Sequence, residues 1–108
     1  MFAGQRDWAG KMVVMADVTA RLRKRINREF PAGTAEEVAR RLAGLPADAF
    51  GSQIQERVMA AVILASDGQW ERFLAMLRLL SVDWRDVLMA GGLAGADWPT
   101  RLDVELPS

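Results

Sequence analysis

The chain has 108 residues with no histidine, cysteine or tyrosine, and its 14 basic side chains balance its 14 acidic ones. The missing residue types exclude a disulfide framework, cysteine-ligated zinc and the usual near-neutral proton shuttle. A chain of this length forms a single domain. Its zero net charge points to neither nucleic acid nor a membrane as a partner.

No apolar run approaches the length of a membrane span. The longest, residues 58–65, is far shorter than the ~20 residues that cross a bilayer. Residues 1–18 carry charged side chains and lack the apolar segment of a signal peptide. Together with the absence of cysteine, these features predict a cytoplasmic protein that does not bind membranes.

The N-terminal residues differ from the rest of the chain. Residues 1–14 contain two glycines, which are poor helix formers, and show no helical periodicity. We expect an irregular extension there. Met15 begins a sequence more typical of a helical domain, which predicts a single domain over residues 15–108 and makes Met15 a candidate natural start.

Apolar residues at helical spacing predict the first helix over residues 17–29. Its apolar face consists of Val18, Leu22 and Ile26. The Phe30-Pro31 pair ends it, because a residue before proline is disfavoured in the α region.

Two capping-box patterns predict the starts of the next two helices. Thr34 and Glu37 have the spacing of a capping box, and Pro46 closes the helix that they open. Residues 46–51 form a loop with room for one helical turn. Ser52 and Gln55 offer the second capping box, and the helix that follows is apolar all round in its second half. Such a helix is usually the most buried element.

Three further helices complete the predicted fold. Asp67 is predicted to cap a fourth over residues 69–80, and Asp83 caps a fifth that ends at Gly91-Gly92. A last short helix starts at Asp97, with a proline in its first turn. Since no segment alternates with a period of two, we predict an all-α, compact single-domain bundle of five to six short helices, with the third at its centre.

Positive charge is concentrated near the start of the chain. Residues 1–28 hold seven basic and two acidic side chains, a net of +5, whereas residues 29–108 hold seven basic and twelve acidic, a net of −5. On the first helix, four basic side chains at i, i+3, i+4 and i+7 form one face, here called the basic stripe: Arg21, Lys24, Arg25 and Arg28.

The basic stripe has two interpretations. It could neutralise several phosphates and bind nucleic acid without sequence preference, in a salt-dependent way. Charge runs on helices are more often solvated or ion-paired faces, which favours pairing with the acidic remainder of the chain. Residues 37–42 are similar to the opening of a helix-turn-helix, but residues 47–56 provide no basic side chain that could contact DNA. The nucleic-acid hypothesis therefore depends on residues 21–28.

The carboxylates do not suggest an active site. Glu37 and Asp83 are assigned to caps, and Asp86 lies in a first helical turn, where negative charge is favourable. A serine nucleophile would have only Lys11 or Lys24 as a base, and both lie in a basic region where lysine stays protonated. We therefore expect a protein that is not an enzyme and binds no metal and no cofactor.

The third and fourth helices carry more apolar residues than one core-facing side requires. The surplus residues are Met59, Ile63, Met76 and Leu79. Apolar surface of this kind marks protein interfaces, and methionine adapts to varied partners; the alternative is a wide buried face within the domain. The sequence thus predicts a small interaction or regulatory module with a protein partner or self-association. The alternative is a nucleic-acid-associated protein that uses the basic stripe.

Overall fold

The computed structural model describes residues 17–107, so the predictions for residues 1–14 and for Met15 lie outside the described residues. Within that range the chain forms six α-helices and no strand, which confirms the predicted all-α bundle. The helices are α1 (Ala20–Glu29), α2 (Ala32–Ala43), α3 (Gln55–Ser66), α4 (Trp70–Val82), α5 (Trp84–Ala90) and α6 (Trp98–Glu105). A short 3₁₀-helix, Ala47–Phe50, separates α2 from α3.

Helix α3 is the centre of the fold, as predicted. It contacts α1, α4, α5, α6 and the 3₁₀-helix. Its buried residues are Val58, Met59, Ala60, Ala61, Val62, Ile63 and Ser66. The hydroxyl of Ser66 donates to the carbonyl oxygen of Val62 at 2.6 Å, so this buried polar group is satisfied within the helix.

Helices α3 and α5 approach each other closely because the residues at their contact, Ala61 and Gly91, are small. A Cβ atom at Gly91 would lie only 2.5 Å from the Cα and the carbonyl oxygen of Ala61. Helix α4 packs against both, and buries Phe73 and Leu80. These three helices form the main core.

Helices α1 and α2 form a second layer that contacts this core. Leu22 and Ile26 of α1 are fully buried, as their spacing predicted. At the end of α1, the ring of Phe30 meets that of Phe73 edge-on, with centroids 6.3 Å apart. This aromatic contact connects the helix pair to α4.

Three predicted caps are wrong. Helix α2 begins after Pro31, which occupies the N-cap position and whose carbonyl oxygen accepts from the Ala35 backbone N–H at 2.7 Å. Thr34 therefore lies inside the helix and caps nothing. Helix α3 begins after Ile54, without a side-chain cap from Ser52. Asp67 ends α3 in the left-handed region, at φ 53°, and the residue that precedes α4 is Gln69.

Other predicted boundaries are confirmed. The Arg85 backbone N–H donates to Oδ1 of Asp83 at 2.9 Å, which caps α5. Gly91 ends that helix. Asp97 precedes α6 as predicted, and Pro99 lies in its first turn, but the Asp97 side chain makes no capping hydrogen bond.

Gly91→Ala tests the α3–α5 contact. Because the added methyl would meet the backbone of Ala61, we expect a loss of about 1–3 kcal/mol in the free energy of unfolding. The matched control is Gly33→Ala in α2, where nothing lies within 4 Å of the new methyl. It should gain about 0.5–1 kcal/mol from helix propensity. Urea unfolding followed by tryptophan fluorescence measures both, and equal midpoints would contradict this packing.

Candidate functional site

The structure brings the four residues of the basic stripe together along one cleft, here called the basic cleft. It has a volume of about 180 Å³ and lies between α1 and the end of α6. Its lining residues are Arg21, Lys24, Arg25, Arg28, Glu105, Leu106 and Pro107.

Arg21 pairs with two carboxylates from distant parts of the chain. Its Nε and Nη2 donate to the carboxylate of Glu56 at 2.8 and 2.7 Å, and its Nη1 donates to Oδ1 of Asp103 at 2.8 Å. The hydrogen bonds from Arg21, against the effect of burial, hold the pKa of Glu56 below its ordinary value, and the Thr19 hydroxyl adds to this. The same pairing raises the pKa of Arg21. Both groups are charged at neutral pH.

Arg25 holds the end of α6. Its Nη1 donates to the carbonyl oxygen of Glu105 at 2.6 Å and to that residue's Oε1 at 3.1 Å, and its Nε donates to Glu29 at 3.0 Å. Arg21 adds a 3.4 Å bond to the carbonyl oxygen of Leu106. The last carbonyls of a helix lack partners within it, so the two arginines cap the C-terminal end of α6.

The basic stripe is therefore divided into paired and unpaired positions. Arg21 and Arg25 bind carboxylates, including Glu56 and Glu105 from the acidic remainder of the chain. Lys24 and Arg28 are exposed, and within residues 17–107 neither has a carboxylate within 4 Å. The ion-pair interpretation thus describes two of the four positions.

Met59 and Ile63 do not lie on a second apolar face. Both side chains are fully buried, because α3 is surrounded by other helices. This corrects the interpretation of these two residues as surplus apolar surface, since neither can contact a partner while the chain is folded.

Met76 and Leu79 are half-buried on α4 and pack partly against the core. Val82 follows Leu79 at the same spacing of three residues, and it is 81% exposed. Val82 was missed because the predicted fourth helix ended at residue 80, whereas α4 extends to Val82. The spacing of three from Met76 and Leu79 was the available signal.

Val82 lies in a second cleft, here called the corner cleft, where the 3₁₀-helix meets the junction of α4 and α5. Its volume is about 560 Å³, within the range of roughly 300–1,000 Å³ that is typical of binding clefts. The lining residues are Pro46, Asp48, Ala49, Leu80, Ser81, Val82, Asp83, Trp84 and Arg85. The cleft thus combines apolar side chains with charges of both signs.

Trp84 is held in a fixed position in the corner cleft. Gly51, at φ 60°, contacts the indole so closely that a Cβ there would overlap its Nε1. Asp83 caps the helix that begins at Trp84, and the guanidinium of Arg85 lies 5.2 Å from the ring centroid. A partner would therefore meet a partly buried aromatic side chain that is already held in place.

Arg57 holds the loop between α5 and α6, a role that was not predicted from the sequence. Its guanidinium stacks over Trp98 at 4.6 Å, and its Nε donates to the carbonyl oxygen of Leu93 at 3.0 Å. Burial lowers the pKa of this side chain. Arg57 thereby fixes the loop between α5 and α6 against the start of α3.

Among residues 17–107, no three acidic side chains come together in a group that could hold a metal ion. None of the six helices has the length and apolar character needed to cross a membrane.

The chain has no match among protein-family models, curated proteins or solved structures. Its function must therefore be inferred from its own geometry.

Glu56→Gln tests the Arg21 ion pair. Because the folded pKa of Glu56 lies below its ordinary 4.5, the pair stabilises the fold above that pH and loses its effect as the pH falls through the folded pKa. We expect Glu56→Gln to lower the free energy of unfolding by about 1–2 kcal/mol at neutral pH, which lies between the values for exposed and buried ion pairs. Urea unfolding at neutral and acidic pH should show this difference shrinking at low pH. The exposed Glu71→Gln should change little at either pH, and a difference independent of pH would contradict the account.

Proposed function

We propose that this protein is a non-enzymatic protein–protein interaction module that binds its partner at the corner cleft. The observation that carries the proposal is that a fixed, partly buried Trp84 lines the same cleft as Val82, which is 81% exposed. Met76 and Leu79 extend this surface along α4.

The chemistry of the corner cleft favours a protein partner. Tryptophan and arginine are enriched at the energetic centres of protein interfaces, and Trp84 and Arg85 stand side by side here. Asp48 and Asp83 add polar groups to the lining of the cleft, and interfaces commonly combine an apolar centre with polar residues around it. An isolated exposed valine needs no explanation, but one beside an ordered aromatic cleft does.

A nucleic-acid function for the whole stripe has less support. Phosphate binding draws on free positive charge, whereas Arg21 and Arg25 are engaged with Glu56, Asp103 and Glu105. Within the stripe, only Lys24 and Arg28 have no carboxylate within 4 Å among residues 17–107.

Val82→Glu tests the proposal. Glutamate at this exposed position should leave the fold intact but place a charge in the apolar interface, so we expect at least about a tenfold loss of partner binding. Affinity purification of the tagged protein at its native level measures a separate partner, and light scattering on a sizing column measures self-association.

Val104→Glu is the matched control, because it makes the same change at a valine that is 71% exposed on α6. It should retain the partner. The proposal fails if the wild-type protein is monomeric and has no stoichiometric partner, or if the two variants lose binding equally.

A further inference from the structure

We propose that the basic cleft binds a phosphate group, with Lys24 and Arg28 as its direct contacts and the carboxylates of α6 as competing anions. This site is separate from the corner cleft and does not depend on the interaction proposed there.

The geometry provides two free cations beside two fixed ones. Lys24 and Arg28 are one helical turn apart on the exposed side of α1, with no carboxylate within 4 Å among the described residues. Arg21 and Arg25 line the same cleft and are held by Glu56 and Glu29. A phosphate that enters therefore meets two exposed donors beside two arginines that carboxylates hold in position.

The charge balance of the cleft explains why the carboxylates of α6 should compete with phosphate for the arginines. Two of the four basic side chains, Arg21 and Arg25, are paired with four carboxylates: Glu29, Glu56, Asp103 and Glu105. The last two belong to the end of α6. A phosphate oxygen that approaches Arg21 or Arg25 takes the place of one of these carboxylates.

The α6 carboxylates are the weaker partners of the two arginines. The side chain of Asp103 is 73% exposed and that of Glu105 is 42% exposed, compared with 16% for Glu56. Water and salt screen exposed pairs most strongly. Exchange of these two carboxylates for phosphate therefore costs little, and it leaves the Arg21–Glu56 pair in place.

The test uses two phosphate probes on the full chain, a random DNA duplex of about 20 base pairs and pyrophosphate, at about 50 mM salt and above. The variant Lys24→Gln/Arg28→Gln should lose roughly tenfold in affinity. Its salt dependence on duplex should weaken by about two counterions. The control Arg72→Gln/Arg78→Gln removes the same charge from exposed positions on α4 and should lose much less.

A second variant tests competition by α6. Asp103→Asn removes a competing carboxylate, so affinity for the probe should rise by about threefold. Glu71→Gln changes the net charge equally at an exposed position on α4 and should have less effect. Circular dichroism and urea unfolding establish that each variant is folded.

The two probes identify where the phosphate comes from. Binding of duplex alone indicates a nucleic-acid backbone, and binding of pyrophosphate indicates a small phosphate compound; either result supports the site if the variants behave as stated. The proposal is overturned if neither probe binds at low salt, or if the two double variants lose affinity equally.

Discussion

The structure depends on the burial of α3 on all sides, and above all on its close contact with α5. Ala61 and Gly91 allow the two backbones to approach to a distance that no larger residue at position 91 would permit. Because α3 contacts most other elements of the described chain, its position determines where α4 and α5 meet. The corner cleft lies at that meeting point, so the packing of small residues in the core positions the surface that we propose binds a partner.

The basic stripe illustrates how one sequence signal can serve two purposes. The end of α6 has few buried side chains, and Arg21 and Arg25 supply it with ion pairs and with partners for its last carbonyls. The stripe therefore stabilises the C-terminal helix whether or not it also binds phosphate. Lys24 and Arg28 lie on the same helix outside these contacts, and they are the residues that we propose bind phosphate.

Much of the fold could be predicted from periodicity, but the site could not. The uniform apolar character of α3 indicated its central place, and the same character made Met59 and Ile63 look like surplus surface. The capping-box spacing of Thr34 and Glu37 predicted the wrong start for α2, because the helix already begins after Pro31. Three carboxylate partners of the stripe, Glu56, Asp103 and Glu105, lie 35 to 82 positions away in the chain. The corner cleft joins the 3₁₀-helix to α4 and α5, so both sites depend on tertiary packing.

A photo-crosslinking amino acid at position 82 tests the proposed interface most directly, with the same residue at position 104 as the reference. If the corner cleft binds a protein, the chain substituted at position 82 should crosslink in its own cells to one protein or to a second copy of itself, and position 104 should not. Equal crosslinking from both positions, or none from position 82, would contradict the proposed interface.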